Sequence, residues 1–290
     1  MTDHAIGGVI AAITTPIAGG VPDAARFVTH ARWLMANGCD GLNVLGTTGE
    51  ATSIPAAARK VLMSAAAAAL DPARLMVGTG CADLETTAAL TRHAAAEGYG
   101  AALVLPPFYY KGVSEAGLFA YFDGLVAATA DRPIALYLYN FPQMTGLVFA
   151  PALVARLIAA FPERIRGIKD SSGDMDYAAG LTGRAGFKVF PSDETALAEA
   201  AARGFAGCIS ATVNLSAPLA HRLWQAPDDA ALRAEVAAFR ASLAGPGLIP
   251  GIKALVARRH GDGGHAAPLP PLMAPTGEEA ARLAGIALPR

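Results

Sequence analysis

The stretch IALYLYNFP, residues 134–142, runs through six apolar or aromatic positions and stops abruptly at Asn140, Phe141 and Pro142. It shows no alternation of polar and apolar residues, so it predicts a strand buried on both faces, as in a parallel sheet covered by helices. Seven other short runs rich in Val, Ile and Leu read the same way: GGVIAAI (7–13), GLNVL (41–45), LMVGT (75–79), AALVL (101–105), IRGIK (165–169), FKVF (187–190) and AGCIS (206–210). Helical patterns with their own start and stop signals lie between them. DAARFVTHARWLMAN follows Pro22, opens on Asp23 as N-cap and is followed by Gly38; DLETTAALTRHAAAEG opens on Asp83 and closes at Gly98; another opens on Ser114. Eight such strands with helical crossovers predict an α/β fold, a closed (β/α)8 TIM barrel over residues 1–213, in preference to an open doubly wound sheet. From 214 to 290 the helical patterns continue without a strand, predicting a C-terminal helical appendage in the same structural unit.

A chain of 290 residues suits one such barrel. Hydrophobic residues make up 53% and charged residues 16%, enough apolar surface for a large core. The net charge of -1 offers no nucleic-acid surface or polybasic membrane patch, and Gly, Pro or charges interrupt every apolar run before membrane-spanning length. Cys39, Cys81 and Cys208 are scattered and suit a reducing compartment; the opening MTDH lacks the basic flank of a signal peptide. The expectation is a soluble, cytoplasmic protein acting on small molecules.

In a (β/α)8 barrel the C-terminal ends of the strands carry the chemistry. Here those ends read GTTGE (46–50), PPFYYK (106–111), YNFP (139–142), Lys169, SDE (192–194) and Ser210. Of the five lysines, Lys60 and Lys253 sit in helical patterns, where a solvated stem is expected. Lys188 starts its strand and can reach the opposite rim, leaving Lys169 as the lysine that ends a strand at this rim. A lysine amine withdrawn from water keeps more of its free-base form, the form needed to attack a ketone and build a Schiff base. The competing reading pairs Lys169 with the adjacent Asp170.

GTTGE, YNFPxxTG and GIKD, in this order across a barrel, resemble the dihydrodipicolinate synthase/N-acetylneuraminate lyase family of pyruvate-dependent class I aldolases. The resemblance spans about residues 7–215 and implies a TIM barrel with C-terminal helices, usually tetrameric as a dimer of dimers, needing neither metal nor other cofactor. It makes Lys169 the Schiff-base lysine, Tyr139 the phenol that relays protons, and Thr47 and Thr48 the pair that holds the pyruvate carboxylate and passes protons. It further implies that the Ile209 carbonyl faces pyruvate. A tyrosine from the loop after strand four, Tyr109 or Tyr110, would enter a neighbouring subunit's site. Cys208 beside Ile209 reads as a small core residue.

Members of the family that make the lysine precursor carry an arginine after YNxP to grip the aldehyde's carboxylate. YNFPQMTG places Met144 there, and a methionine cannot form that pair. The motif is closer to the 2-keto-3-deoxy sugar-acid aldolases. Asp193, Glu194 and Ser171 match the positions that sialic-acid lyases turn toward substrate hydroxyls, although Asp193 and Glu194 equally suit capping of the following helix. The expected reaction is cleavage of a 2-keto-3-deoxy acid to pyruvate and a hydroxyaldehyde. The alternatives are 4-hydroxy-tetrahydrodipicolinate synthesis, a keto-deoxy acid dehydratase sharing the same lysine and tyrosine, and a non-catalytic binding barrel. A metal-dependent aldolase is not expected, because His4, His30, His93, His221, His260 and His265 show no ligand spacing.

Overall fold

A computed structural model describes residues 6–245 and 247–289; His4 lies outside them. Eight parallel strands form one sheet: β1 (Gly8–Ala12), β2 (Gly41–Val44), β3 (Leu75–Gly78), β4 (Ala101–Val104), β5 (Leu136–Asn140), β6 (Ile165–Asp170), β7 (Lys188–Pro191) and β8 (Gly207–Ser210). From β1 to β7 each strand pairs with the next in sequence, and β8 returns to pair with β1. Between β7 and β8 the Ala206 N–H reaches the Val189 carbonyl at 2.9 Å, so the sheet is a nearly closed barrel.

The strands lack alternation in sequence because both of their faces are dry. Successive side chains point to opposite sides. One set (Ile10, Met76, Leu103, Tyr137, Phe190 and Ile209 among them) fills the barrel, while the other (Val9, Leu42, Val77, Val104, Leu138 and Cys208 among them) packs under the helices.

The helices begin and end where the caps require. Asp23 accepts the Arg26 N–H at 3.0 Å and opens α1 (Ala24–Ala36). Alanine-rich α2 (Ala56–Ala69) follows β2. Asp83 accepts the Thr86 N–H at 2.7 Å and opens α3 (Leu84–Ala96), and Ser114 accepts the Gly117 N–H at 3.1 Å and opens α4 (Glu115–Ala128). Next come α5 (Pro151–Ala160), α6 (Met175–Gly180) and α7 (Ala200–Arg203), the last preceded by a 3-10 segment, Glu194–Glu199.

Beyond β8, α8 (Val213–Gln225) lies against β1 and completes the helical ring. Asn214 joins the two: its Oδ1 accepts the Thr14 N–H at 3.1 Å and its Nδ2 donates to the Ala12 carbonyl at 2.7 Å. Three further helices, α9 (Ala230–Ser242), α10 (Leu248–His260) and α11 (Gly277–Ala284), follow among the described residues. None of the described helices is long and apolar enough to cross a membrane.

One expectation fails here. Lys253 in α10 is fully buried instead of solvated, and its amine pairs with the carboxylate of Glu50. The flanking Ile252, Leu255 and Val256 face the same core, so the stem has no route to water.

Candidate active site

Lys169 is the fifth residue of β6, and its side chain points into the barrel while that of Asp170 points out. Asp170 is held instead by Asn140 Nδ2 at 2.7 Å, Ser172 Oγ at 2.7 Å and the Ser172 N–H at 3.3 Å. Burial pushes the Asp170 carboxyl up from the usual carboxylate range, and those donors pull it back. The two neighbours therefore form no ion pair. Lys169 is 4% exposed, and among the described residues its amine has no carboxylate partner.

What it has is a phenol. Tyr139 lies directly across from Lys169 in the β5–β6 register. Lys169 Nζ sits 3.3 Å from the Tyr139 hydroxyl and 4.4 Å from the ring centre. The same hydroxyl lies 3.2 Å from Thr47 Oγ1, giving a continuous path from amine to phenol to alcohol. Phe141 stacks on the Tyr139 ring with centres 5.7 Å apart, fixing its plane.

Thr47 and Thr48 belong to a tightly constrained turn. Among the described residues the only non-glycine residues with positive φ are Leu45 (54°) and Glu50 (56°), which bracket Gly46–Gly49. Such conformations cost of order 1–3 kcal/mol each and persist where surrounding contacts hold them. A Cβ on Gly46 would stand 2.5 Å from Asn43 Nδ2 and would have to push that amide aside. Glu50 is locked by Lys253 and by the Leu269 N–H at 2.6 Å, and Thr15 Oγ1 donates to the Gly49 carbonyl at 2.8 Å. Burial lowers the Lys253 amine from the ordinary lysine range, with Glu50 opposing that shift. Helix α10 and the segment after it thus pin the turn through Glu50.

A cavity of about 470 Å³ gathers Lys169, Tyr139, Thr47, Thr48, Ser171, Ile209 and Met144 on one wall set. Met144 is 62% exposed at the mouth, in a one-turn helix, Pro142–Thr145. A smaller, more apolar cavity of about 210 Å³ shares Thr47, Tyr139 and Met144 but does not include the lysine.

Four expected residues stand differently. Glu194 is 0% exposed and does not line the cavity: Ser210 Oγ at 2.6 Å, Ser216 Oγ at 3.2 Å, Thr212 and Arg240 occupy its oxygens. Asp193 does not line it either; it caps the 3-10 segment through the Thr195 N–H at 2.8 Å and pairs with Arg240 Nε at 2.8 Å. Capping and ion pairing, not an open rim, use the acidic pair. Tyr109 and Tyr110 are 73% and 74% exposed, packed edge to face with each other, and neither lines the cavity that holds Lys169.

Sequence reasoning missed Arg240, Ser192 and Thr212, which line the same cavity. Arg240 looks like any arginine in an amphipathic helix, and nothing local distinguishes it. Lys253 carried a signal that went unused, a lysine set in the apolar run LIPGIKALV. No group of three or more His, Cys, Asp or Glu among the described residues could hold a metal ion.

A sequence profile of the dihydrodipicolinate synthetase family matches residues 5–279. An uncharacterized DapA-like lyase of Chloroflexus aurantiacus is 35% identical over 241 residues, 80% of each chain. The crystal structure of dihydrodipicolinate synthase from Agrobacterium tumefaciens superposes with a TM-score of 0.89 at 30% identity, covering 96% of this chain and 97% of that one. The structure of YagE, a prophage protein of the same family from E. coli K12 in complex with pyruvate, gives a TM-score of 0.85 at 26% identity, covering 96% of each chain. The chain belongs to the dihydrodipicolinate synthetase family and is a lyase of the pyruvate-dependent class I aldolase type.

Proposed function

We propose, from membership of this family and the geometry at Lys169, that the protein cleaves a 2-keto-3-deoxy sugar acid, such as 2-keto-3-deoxygluconate, to pyruvate and a hydroxyaldehyde. The observation that carries the reading is a buried amine with no carboxylate partner among the described residues, 3.3 Å from a phenol that is itself 3.2 Å from a threonine hydroxyl. The Lys169 amine attacks C2 of the keto acid, and the carbinolamine loses water to give an iminium. The C4 hydroxyl then gives up its proton, the C3–C4 bond breaks, and its electron pair passes into the enamine as the aldehyde leaves. Protonation at C3 and hydrolysis of the imine release pyruvate and restore the amine. Tyr139 is the proton carrier at each transfer, work that contributes about 10²–10⁴-fold in enzymes. Thr47 and Thr48 hold the substrate carboxylate, with Gly46 and Gly49 allowing the turn's backbone to approach it, and the Ile209 carbonyl faces the keto acid.

Met144 supports this substrate class, because a thioether cannot grip the carboxylate of aspartate semialdehyde. Ser171, on the cavity wall, offers a hydroxyl to a polyol. The name of the 30%-identical Agrobacterium synthase favours the second reading, condensation of pyruvate with aspartate semialdehyde. Borohydride added with pyruvate is expected to fix a covalent adduct on the Lys169 peptide. Release of pyruvate from a panel of keto-deoxy acids, run beside aspartate semialdehyde condensation, decides between the readings: faster production of the lysine precursor than of pyruvate would overturn the aldolase assignment. A dehydratase would consume the same acids without releasing pyruvate.

The exposed Tyr109 and Tyr110 fit a homotetramer in which one of them enters the neighbour's site. Mixing Tyr109→Phe subunits with Lys169→Ala subunits then restores activity if Tyr109 is the residue exchanged, and the same mixture made with Tyr110→Phe tests the other.

A further inference from the structure

Arg240 of α9 lines the cavity that holds Lys169. We infer that Arg240 is the specificity-determining residue for the aldehyde half of the substrate, and that it selects a neutral, hydroxylated chain; the inference rests on the aldolase reading above.

A guanidinium carries five N–H donors in a rigid plane. Arg240 Nε forms an ion pair with Asp193 Oδ2 at 2.8 Å. Its Nη1 lies 2.8 Å from Glu194 Oε2, 3.0 Å from Thr212 Oγ1 and 3.3 Å from Ser210 Oγ. Its Nη2 has no hydrogen-bond partner among the described residues, although Arg240 lines the cavity. Two acidic side chains therefore fix the plane of the guanidinium, and the remaining pair of N–H groups is left for water or for a substrate oxygen. The expected contact between the acidic residues and the sugar hydroxyls is replaced by an indirect one, in which the carboxylates orient an arginine.

Charge chooses the kind of oxygen. The guanidinium and the two carboxylates that hold it have a formal net charge of -1, so a distal carboxylate or phosphate meets no excess of positive charge. A hydroxyl accepts from Nη2 without that penalty. Ser171 and Ser192, also on the wall, add hydroxyls that can donate or accept. Lys169, Tyr139 and Thr47, joined to one another and not to Arg240, handle the keto-acid half, so the two halves are read by separate groups.

The test measures condensation of pyruvate with D-glyceraldehyde, acetaldehyde and aspartate semialdehyde by the full chain, as parent, Arg240→Met and Arg240→Lys. Loss of a charged hydrogen-bond donor is expected to lower kcat/KM for glyceraldehyde by about 10- to 100-fold, chiefly through KM for the aldehyde. Acetaldehyde, which lacks the hydroxyls, changes little, and the borohydride-trapped pyruvate adduct on Lys169 forms as in the parent. If Arg240→Met fails to fold, Arg240→Lys decides, because it keeps a cation beside Glu194 while losing the planar fork. An equal loss for glyceraldehyde and acetaldehyde would make Arg240 a purely structural residue and overturn the inference. A loss confined to aspartate semialdehyde would make it a carboxylate grip and overturn it equally. Absence of the adduct in the parent is a separate result, which sinks the aldolase reading itself.

Discussion

Lys169 and Lys253 are both buried lysines, yet they occupy opposite kinds of site. Lys253 meets the carboxylate of Glu50 beside the GTTG turn, whereas among the described residues Lys169 meets only the phenol of Tyr139 in a cavity. Removing two charges from water costs several kcal/mol per ion, and a buried pair recovers this only through close, well-bonded contact. Lys253 is therefore committed: its amine is engaged with Glu50 and walled in by apolar residues. Lys169 is uncommitted, with room for a substrate on one side. Burial is common to both, so burial alone does not make a lysine a nucleophile; the missing carboxylate and the open cavity do.

The comparison breaks first at Lys169. Lys169→Ala is expected to abolish the pyruvate–borohydride adduct, read by intact mass, and to reduce turnover to background, since the nucleophile has no substitute. An adduct that persists in this variant, or maps to Lys253, would erase the distinction between the two sites. Next in size, Tyr139→Phe is expected to lower turnover by about 10²–10⁴-fold while the melting transition survives, because only a hydroxyl is removed from a packed ring.

The opposite signature is expected at Lys253. Lys253→Met leaves Glu50 charged and buried, which costs about 3–5 kcal/mol of stability in urea unfolding. Adding Glu50→Gln should return part of that loss, a coupling that a double-mutant cycle measures. If Lys253→Met instead keeps full stability, the pair is not what holds the strained turn.

A third buried base sharpens the rule at smaller amplitude. His30 on α1 bonds His260 at 3.0 Å and Asn214 at 3.0 Å, with no carboxylate bonded to it among the described residues. Burial is the main cause that lowers its pKa to about 3 from the ordinary 6.5. Between those values the unfolded chain binds a proton that the folded chain does not, so stability is full above pH 6.5 and falls as the pH drops. At pH 5 this removes about 2 kcal/mol relative to neutral pH. His30→Asn should flatten that part of the stability profile, and an unchanged slope would assign the acid sensitivity elsewhere.

The barrel was largely legible in the chain. Eight short unalternating runs, with Asp23, Asp83 and Ser114 opening the helices between them, reported a geometry that is local: burial on two faces, and a side-chain acceptor for a helix's first N–H groups. The GTTG turn and the Lys169–Tyr139 pair were legible for a related reason, since strand ends collect at one rim. Arg240 was not legible, because its meaning depends on Asp193 and Glu194, 47 and 46 residues away.

By itself, then, the sequence determined a parallel α/β barrel, the rim that bears its chemistry and the lysine at its centre, because strand period, caps and strand order are set by near neighbours. Only the tertiary structure decided which polar groups are spent and which are free. It turned Glu194 away from the cavity and onto Arg240, sank Lys253 against Glu50, and left Lys169 on the cavity wall with Arg240 lining the same space. Hydrogen bonds and ion pairs between distant segments assign those partners, and a partner 46 or 203 residues away leaves no mark on the residues beside it.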